Sequence, residues 1–390
     1  MQRYFDNAAT SFPKPDVVLD AIVQYQKQCG ASPGRGAYSH AADATEILDT
    51  CRELLCTLVN ATSSEHCIFT LNCTDSLNLA INGIAQHFLA KNKPVHIVTT
   101  AMDHNSVLRP LHELSNQGVT HTIVKADPGT GIVIPEEILH AIKKTTRLVA
   151  IAHGSNVTGT LQDIKAIGNI CGDIPFLVDA AQTMGHFPID VHEMHIDLLA
   201  FPGHKGLLGP LGTGGLLMRE GMEKIIDPIR TGGTGSQSEH PFQPITLPDK
   251  YEPGSHNMVG IAGLLASVQW ILNEGVSNLH KKEQALSEQF IQEIATIHGV
   301  RIVGPQTSAN RCGVFSLAFD ACPHEIAKQL ERAQGICSRS GLHCAPHAHE
   351  TMGTDVLGGT VRISFGPFHT QEDVTRLVQA ISRCTEKCLA

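Results

Sequence analysis

Apolar residues along this chain fall into short unbroken runs, separated by longer stretches in which they recur every three to four positions. The runs Val95–Thr99, Leu148–Ala152, Phe176–Val178, Leu198–Phe201 and Gly215–Met218 carry no charge and predict strands buried on both faces. Between several of them, Asp75–Leu89, Pro135–Lys144 and Leu161–Cys171 have helical spacing. The alternation predicts an α/β fold with a mostly parallel central sheet and helices on its faces. Ligands of such sheets collect at the carboxyl ends of the strands. Asp179 ends one strand and Pro202–Lys205 follows another, so both are expected at one crevice.

The texture changes beyond residue 220. Residues 230–239 (RTGGTGSQSE) form a Gly/Ser/Thr loop, and prolines at 241, 244, 248 and 253 interrupt any periodicity that follows. Helical spacing then runs from Asn257 to Ile297, with a break expected near Gly275. A smaller α+β region comes last. Its final helix is expected over Val374–Leu389, with Thr370 and Asp373 in capping-box spacing. A chain of 390 residues is too long for one compact core, so two domains are expected, a large one over 16–260 and a small C-terminal one over 261–390.

Apolar residues make up 42% of the chain and charged residues 17%, which describes a globular enzyme rather than a disordered or fibrous chain. The net charge of −9, without a long basic run, argues against nucleic acid as a partner. No apolar stretch reaches the roughly 20 residues of a membrane span, so no membrane partner is expected. The opening Met1–Asp6 lacks the apolar core of a signal peptide, so the expected compartment is the cytosol. Twelve cysteines include no C-x-x-C pair. In a reducing compartment most are expected to be small buried apolar residues, Cys344 excepted.

Four features carry chemistry. In Phe201-Pro-Gly-His204-Lys205-Gly, a lysine follows a strand within a glycine-rich turn, where a Schiff-base amine can meet a ligand. In Phe176-Leu-Val-Asp179-Ala-Ala-Gln182, a buried strand ends in a carboxylate suited to holding a pyridinium nitrogen protonated. Asn72-Cys73-Thr74 opens an apolar-periodic helix, and free amides at a helix start make a phosphate site. His104, in Met102-Asp-His-Asn, follows a strand and offers an imidazole to stack on a ring. Taken singly, each also reads as a loop lysine, a helix cap or a structural histidine.

Together and in this order, the motifs resemble the class V aminotransferase family of fold-type I pyridoxal 5'-phosphate (PLP) enzymes. The resemblance is closest to its cysteine desulfurase and selenocysteine lyase branch. It also rests on Tyr4-Phe-Asp-Asn-Ala-Ala-Thr10, His153-Gly-Ser-Asn156-Val-Thr-Gly159 and Val361-Arg362-Ile-Ser364, and it covers almost the whole chain. It implies PLP as cofactor and an arm over residues 1–15 that packs on the small domain. It implies cofactor contacts from Cys73, Thr74, His104, Asn156, Asp179, Gln182, His204 and Lys205. It implies substrate contacts from Asn156, Arg35, Arg339 and Arg362, with Arg362 clamping a carboxylate through a bidentate guanidinium. It further implies a homodimer with shared active sites, in which Thr231–Gly235 and Gly254–Ser255 reach the neighbour's phosphate.

Arg339-Ser-Gly-Leu-His343-Cys344-Ala-Pro-His347 resembles the R-x-G-x-x-C-A loop of the group II, SufS-like desulfurases. There a cysteine thiolate takes the substrate sulfur as a persulfide. Cys344 occupies that position, and Arg339 and His343 are expected to favour its thiolate. His343, Cys344, His347 and His349 also offer N/S donors, but their crowding makes a tetrahedral metal site awkward, so no metal is expected. Two departures stand out. The phosphate turn has Asn72-Cys73-Thr74 where the family usually has Gly-Thr-Thr, and Asn is expected to keep the left-handed backbone that Gly provides. The segment after Cys344 reads Ala-Pro-His rather than the more usual Gln-Pro. The expected activity is conversion of L-cysteine to L-alanine, with sulfur left on Cys344 for an acceptor protein. Alternatives are a selenocysteine lyase, a C–S lyase on another thiol amino acid, and a catalytically silent scaffold or sulfur-transfer adaptor.

Overall fold

A computed structural model describes residues 3–389, apart from Arg35 and Ser238 and the side chains of 387–389. Seven strands form the large sheet: β1 (Cys67–Thr70), β2 (His96–Thr100), β3 (Thr120–Val124), β4 (Thr146–Ala152), β5 (Phe176–Asp179), β6 (Leu198–Pro202) and β7 (Gly214–Met218). Their order is β1-β7-β6-β5-β4-β2-β3. Only β7 runs against its neighbours. All residues of β2, β5, β6 and β7 are buried, as the uncharged runs require.

The two-residue period of the strands divides these runs between two cores. Ile151, Val178, Leu199 and Leu217 face one side, where Leu55 and Leu264 pack. Leu148, Leu177, Leu198 and Leu216 face the other, against Leu77, Ile81 and Ile84 of the Cys73–Leu89 helix. Each such side chain contributes about 1.5–3 kcal/mol by leaving water. Register then fixes the crevice. Asp179 pairs with Ala152 on one side and Ala200 on the other, at the carboxyl ends of three parallel strands.

A second, antiparallel sheet contains β8 (Val300–Val303), β9 (Val314–Phe319), β10 (Arg339–Gly341) and β11 (Thr360–Ser364), in the order β10-β11-β9-β8. Its core includes Phe290, Phe315, Val361, Ile363, Leu377 and also Phe5 from the amino-terminal arm. The arm is held there by backbone bonds from Phe5 N to Cys337 O (2.9 Å) and from Ser364 N to Phe5 O (2.7 Å). The long helical stretch is broken at Gly275 (φ +80°) into Met258–Glu274 and Val276–Ile294, bent by 78°. Met258, Ile261, Leu264, Val268 and Ile271 pack in the large core, while Leu286 and Phe290 pack in the small one. The cores therefore part within Val276–Ile294, later than the boundary at residue 260 read from sequence.

No single helix among the described residues is long and apolar enough to cross a membrane. The last helix starts at Gln371, with Thr370 N on Asp373 Oδ2 (3.0 Å) and Asp373 N on Thr370 Oγ1 (3.2 Å), the reciprocal cap its spacing announces.

Candidate active site

Beyond β6, the chain pinches into a tight loop: Gly203 N donates to Thr213 O and Gly209 N to Gly203 O, both at 2.8 Å. Lys205 projects from this loop into a cleft that it shares with Cys73, Thr74, His104, Asn156, Asp179, Gln182 and His204. These are eight of the residues expected to meet a cofactor. Burial pushes the Lys205 amine below its ordinary basicity, with the Asp179 carboxylate acting in the opposite sense. Asp179 Oδ1 accepts from Ala181 N (2.9 Å) and from Cys73 Sγ (3.4 Å). The Cys73 thiol is held firmly protonated, first by burial and then by that carboxylate.

The Cys73–Leu89 helix begins at this cleft. Its cap is Asn72, whose Oδ1 accepts from Asp75 N (3.0 Å). The amides of Cys73 and Thr74 have no acceptor among the described residues. Asn72 has φ −176°, an extended backbone open to any residue. The turn thus survives the loss of glycine because the backbone is extended, and not through the left-handed conformation expected. Gly214 lies against it: a Cβ there would stand 2.8 Å from Asn72 Cα.

Thr74 Oγ1 meets Ser106 Oγ (2.7 Å), and Ser106 donates its amide to His104 Nδ1 (3.0 Å). That bond makes His104 Nδ1 an acceptor. Burial lowers the imidazole to a pKa of about 4, so the ring is neutral near pH 7. His204 is likewise lowered to about 4 by burial, and its Nδ1 is buried without a hydrogen-bond partner. The amino-terminal arm closes the floor. Ser11 N and Thr10 Oγ1 donate to His204 O (3.0 and 3.1 Å), and Gln182 Nε2 donates to Ala8 O (3.1 Å).

Arg362, on β11, is 1% exposed. One guanidinium nitrogen pairs with Asp6 Oδ1 (2.7 Å), another donates to Asn156 O (3.2 Å), and Nε is buried without a partner. Burial, against the pull of Asp6, lowers its basicity. Arg339 pairs with Arg362 across β10 and β11, and its guanidinium donates to Cys344 Sγ at 3.7 Å.

Cys344 is exposed, and both it and His343 have positive φ (+62° and +48°), an uncommon conformation for residues with a Cβ. The loop is fastened on each side: Asn105 N donates to Cys344 O (2.8 Å), and Asn156 Nδ2 donates to His343 O (2.6 Å). Ala345 and Ala348 pack on Met102 and Val157 behind it.

Some expectations are corrected. His343 is buried, faces Thr360 Oγ1 (3.1 Å), and is held neutral well below its ordinary pKa by burial. It therefore brings no positive charge to Cys344; the Arg339 guanidinium contacts the thiol, and Arg362 lies close enough to interact with it electrostatically. Ser255, expected at the neighbour's phosphate, does not line the Lys205 cleft of its own chain, in keeping with that expectation. It lies with Gly254, Leu71 and Arg230 in a separate groove. Arg35 lies outside the described residues. Of the cysteines, Cys322 and Cys337 are exposed, unlike the buried majority. Sequence reading gave no role to Asp6 or Ser106. Asp6 sits in a quoted motif, but nothing local announces a partner as distant as Arg362. Ser106 is one of several hydroxyls near a helix start.

This chain belongs to the aminotransferase class-V family, whose model matches residues 3–377. A probable cysteine desulfurase of Methanothermobacter thermautotrophicus is 37% identical over 384 residues, covering 97% of this chain and 93% of the relative. Among solved structures, the apo cysteine desulfurase of Thermococcus onnurineus NA1 superposes with a TM-score of 0.91 at 30% identity, covering 98% and 94% of the two chains. The Escherichia coli cysteine desulfurase CsdA (S-sulfonic acid) gives 0.86 at 26% identity, with the same coverage. The family depends on PLP. The donors of the cleft fit that group: two unpartnered amides at a helix start, an unpartnered His204 nitrogen, a carboxylate at a strand end and an amine of depressed basicity.

Proposed function

We propose that this protein is a cysteine desulfurase that converts L-cysteine to L-alanine and takes the sulfur on Cys344 as a persulfide. The cofactor, when bound, supplies an electron sink for charge developing at the substrate α-carbon. Cys73 and Thr74 amides and His204 would hold its phosphate, Asp179 its ring nitrogen, Gln182 and His104 its ring, and Lys205 its aldehyde carbon. Lys205 Nζ, held below its ordinary basicity, then carries the α-proton. The partnerless Nε of Arg362 suits a substrate carboxylate, while Asp6 and Asn156 O fix the rest of the guanidinium. The Cys344 thiolate attacks the substrate sulfur. The S–S bond forms as the C–S bond breaks, and the carbon, taking a proton, becomes the methyl group of alanine.

The placement of Cys344 carries this reading. An exposed thiol is fastened by its own backbone to Asn105, next to His104, and by its neighbour's carbonyl to Asn156, and both His104 and Asn156 line the Lys205 cleft. That arrangement supports the group II, SufS-like assignment and leaves the persulfide open to an acceptor protein. A homodimer completes the site. Gly254 N donates to Gly233 O (2.7 Å), tying together the two loops that would reach the neighbour's phosphate. Phe242 and Ile245, between those loops, are 79% and 83% exposed and suit a second copy of the chain. The burial of most described cysteines suits a reducing cytosol. Alanine release from L-cysteine and L-selenocysteine, measured side by side with mass mapping of the first persulfide, tests the proposal. Alanine from cysteine with sulfur on Cys344 supports it. Sulfide release with no labelled Cys344 refutes it, and activity on selenocysteine alone reassigns the enzyme as a selenocysteine lyase.

A further inference from the structure

A second, small cavity lies behind the Lys205 loop, between the two cores, and Lys205 and Gln182 line it as well. In its wall, His186 Nδ1 stands 2.8 Å from Glu283 Oε2, an ion pair lying off the line of an ideal hydrogen bond. The His186 ring is pressed on the backbone of Gly206, next to Lys205. A Cβ on Gly206 would stand 2.3 Å from the ring's Cδ2. Glu283 lies on the Val276–Ile294 helix, and its Oε1 accepts from Gly313 N (2.9 Å) at the start of β9. There too the approach demands glycine, because a Cβ at Gly313 would meet Glu283 Cγ at 2.9 Å. Strand β9 pairs directly with β11, with Ser316 opposite Arg362.

The run Gly206–His186–Glu283–Gly313 thus joins the loop bearing Lys205 to the strand pair bearing Arg362. The structure assigns His186 and Glu283 as a strut of positioning residues that sets the separation between the Lys205 amine and the Arg362 guanidinium. Neither side chain lines the Lys205–His104–Asp179 cleft. The amino-terminal arm ties the same two regions from the other side, through His204 O and Ser364. The charge state fits a strut. Despite burial, Glu283 holds the imidazole above its ordinary pKa, and the imidazolium holds the carboxylate below its own. Other titratable groups nearby are His153, His280, Cys312 and Lys282. Burial lowers the basicity of His153 and His280, which favours placing the local positive charge on His186.

An amino acid bridging amine and guanidinium feels any change in their spacing, and a misplacement of about 1 Å costs on the order of 100-fold in rate. The inference rests on the proposed function only for its kinetic arm. The test uses PLP-loaded wild type, His186→Gln, Glu283→Gln and the double variant. Cofactor content and melting temperature are measured first, then L-alanine affinity from the cofactor's visible band, then kcat and KM for L-cysteine. Each single variant should keep its cofactor, bind alanine about 10-fold more weakly and lose about 10-fold in kcat. The double variant should lose no more than the worse single one, because one contact is being removed. If a single variant is too unstable to purify, the double variant, whose two neutral amides leave no buried charge unpaired, takes its place. Alanine affinity and kcat within two-fold of wild type in a fully loaded variant would overturn the strut, as would losses that multiply in the double variant. If wild type fails on cysteine but alanine binding weakens as described, the strut stands and the desulfurase reading falls.

Discussion

Cys344→Ser separates the chemistry of this protein from its architecture. The side chain at 344 is exposed, and its polar contact is the Arg339 guanidinium at 3.7 Å. What holds the loop is backbone: Cys344 O on Asn105 N, Ala345 N on Leu342 O, and His343 O on Asn156. Serine keeps all of these, so stability should change by less than about 0.5 kcal/mol, as at other exposed sites. With an unfolding entropy of about 2.1 cal/mol/K per residue, that is below about 1 °C in melting temperature for 390 residues. Cofactor loading should match wild type, because no cofactor-binding residue changes. Turnover is another matter. A serine hydroxyl stays protonated at neutral pH where a thiol is partly ionised, and it cannot hold a sulfur atom as a persulfide. Alanine formation from cysteine should fall by about 1,000-fold or more, at least ~4 kcal/mol in barrier. Selenocysteine, with a weaker bond and a better leaving group, should retain substantial turnover if wild type acts on it. The assay is alanine release under single-turnover and steady-state conditions, with persulfide labelling. Normal desulfuration of cysteine by the serine variant would make Cys344 structural and move the protein to the C–S lyases.

Further outcomes follow from other parts of the fold. Lys205→Ala should lose the visible band and the pyridoxyl label that borohydride fixes in wild type; peptide mapping that finds the label on another lysine refutes the assignment. Asp179→Asn should keep cofactor and fold but slow α-proton removal, seen as a loss of hydrogen–deuterium exchange at the substrate α-carbon; exchange at the wild-type rate would reduce Asp179 to a residue that only braces the turn at Ala181. Glu252→Gln should cost about 3–5 kcal/mol, because Arg52 would be left buried without its charge partner. Both side chains are 4% exposed, and Glu252 also accepts from Phe69 N (2.5 Å) and contacts His256 (2.6 Å). By the same entropy scale the melting temperature should drop by about 4–6 °C; no shift would mean that water already reaches the pair. Sedimentation should show a dimer, and an active monomer that retains PLP would refute the shared site.

The uncharged runs made the central sheet legible, because a strand buried on both faces has little room for polar residues. Cys67–Thr70 and Thr120–Val124 escaped notice for opposite reasons. The first is a four-residue strand ended by Leu71-Asn72. The second is an edge strand whose exposed and half-buried residues carry Thr and His. The cleft was legible wherever its lining sits in a contiguous motif, as at Asp179 and His204-Lys205. It was not legible where two distant segments meet. Asp6 on Arg362, Asn156 on the His343 carbonyl and Glu283 on His186 depend on which strand lies beside which. The error about His343 has the same root. Adjacency to Cys344 suggested a cation, whereas the left-handed backbone turns the ring into the small domain, where burial keeps it neutral.

The reversed strand β7 governs when this protein becomes able to hold its cofactor. On the ribosome, Cys67–Thr70 emerges early, yet its only partner in the sheet is β7, with Thr70 opposite Gly214. Until that later segment has been synthesised and folded back, the strand that leads into the helix start at Cys73 and Thr74 has no partner in the sheet to fix its position. A pairing so distant in sequence closes slowly, because chain entropy must be lost before contacts repay it. The proposed phosphate anchor and the lysine loop are therefore completed in one late event, and a nascent chain cut before Gly214 carries every strand of the parallel core yet lacks a finished seat for the cofactor.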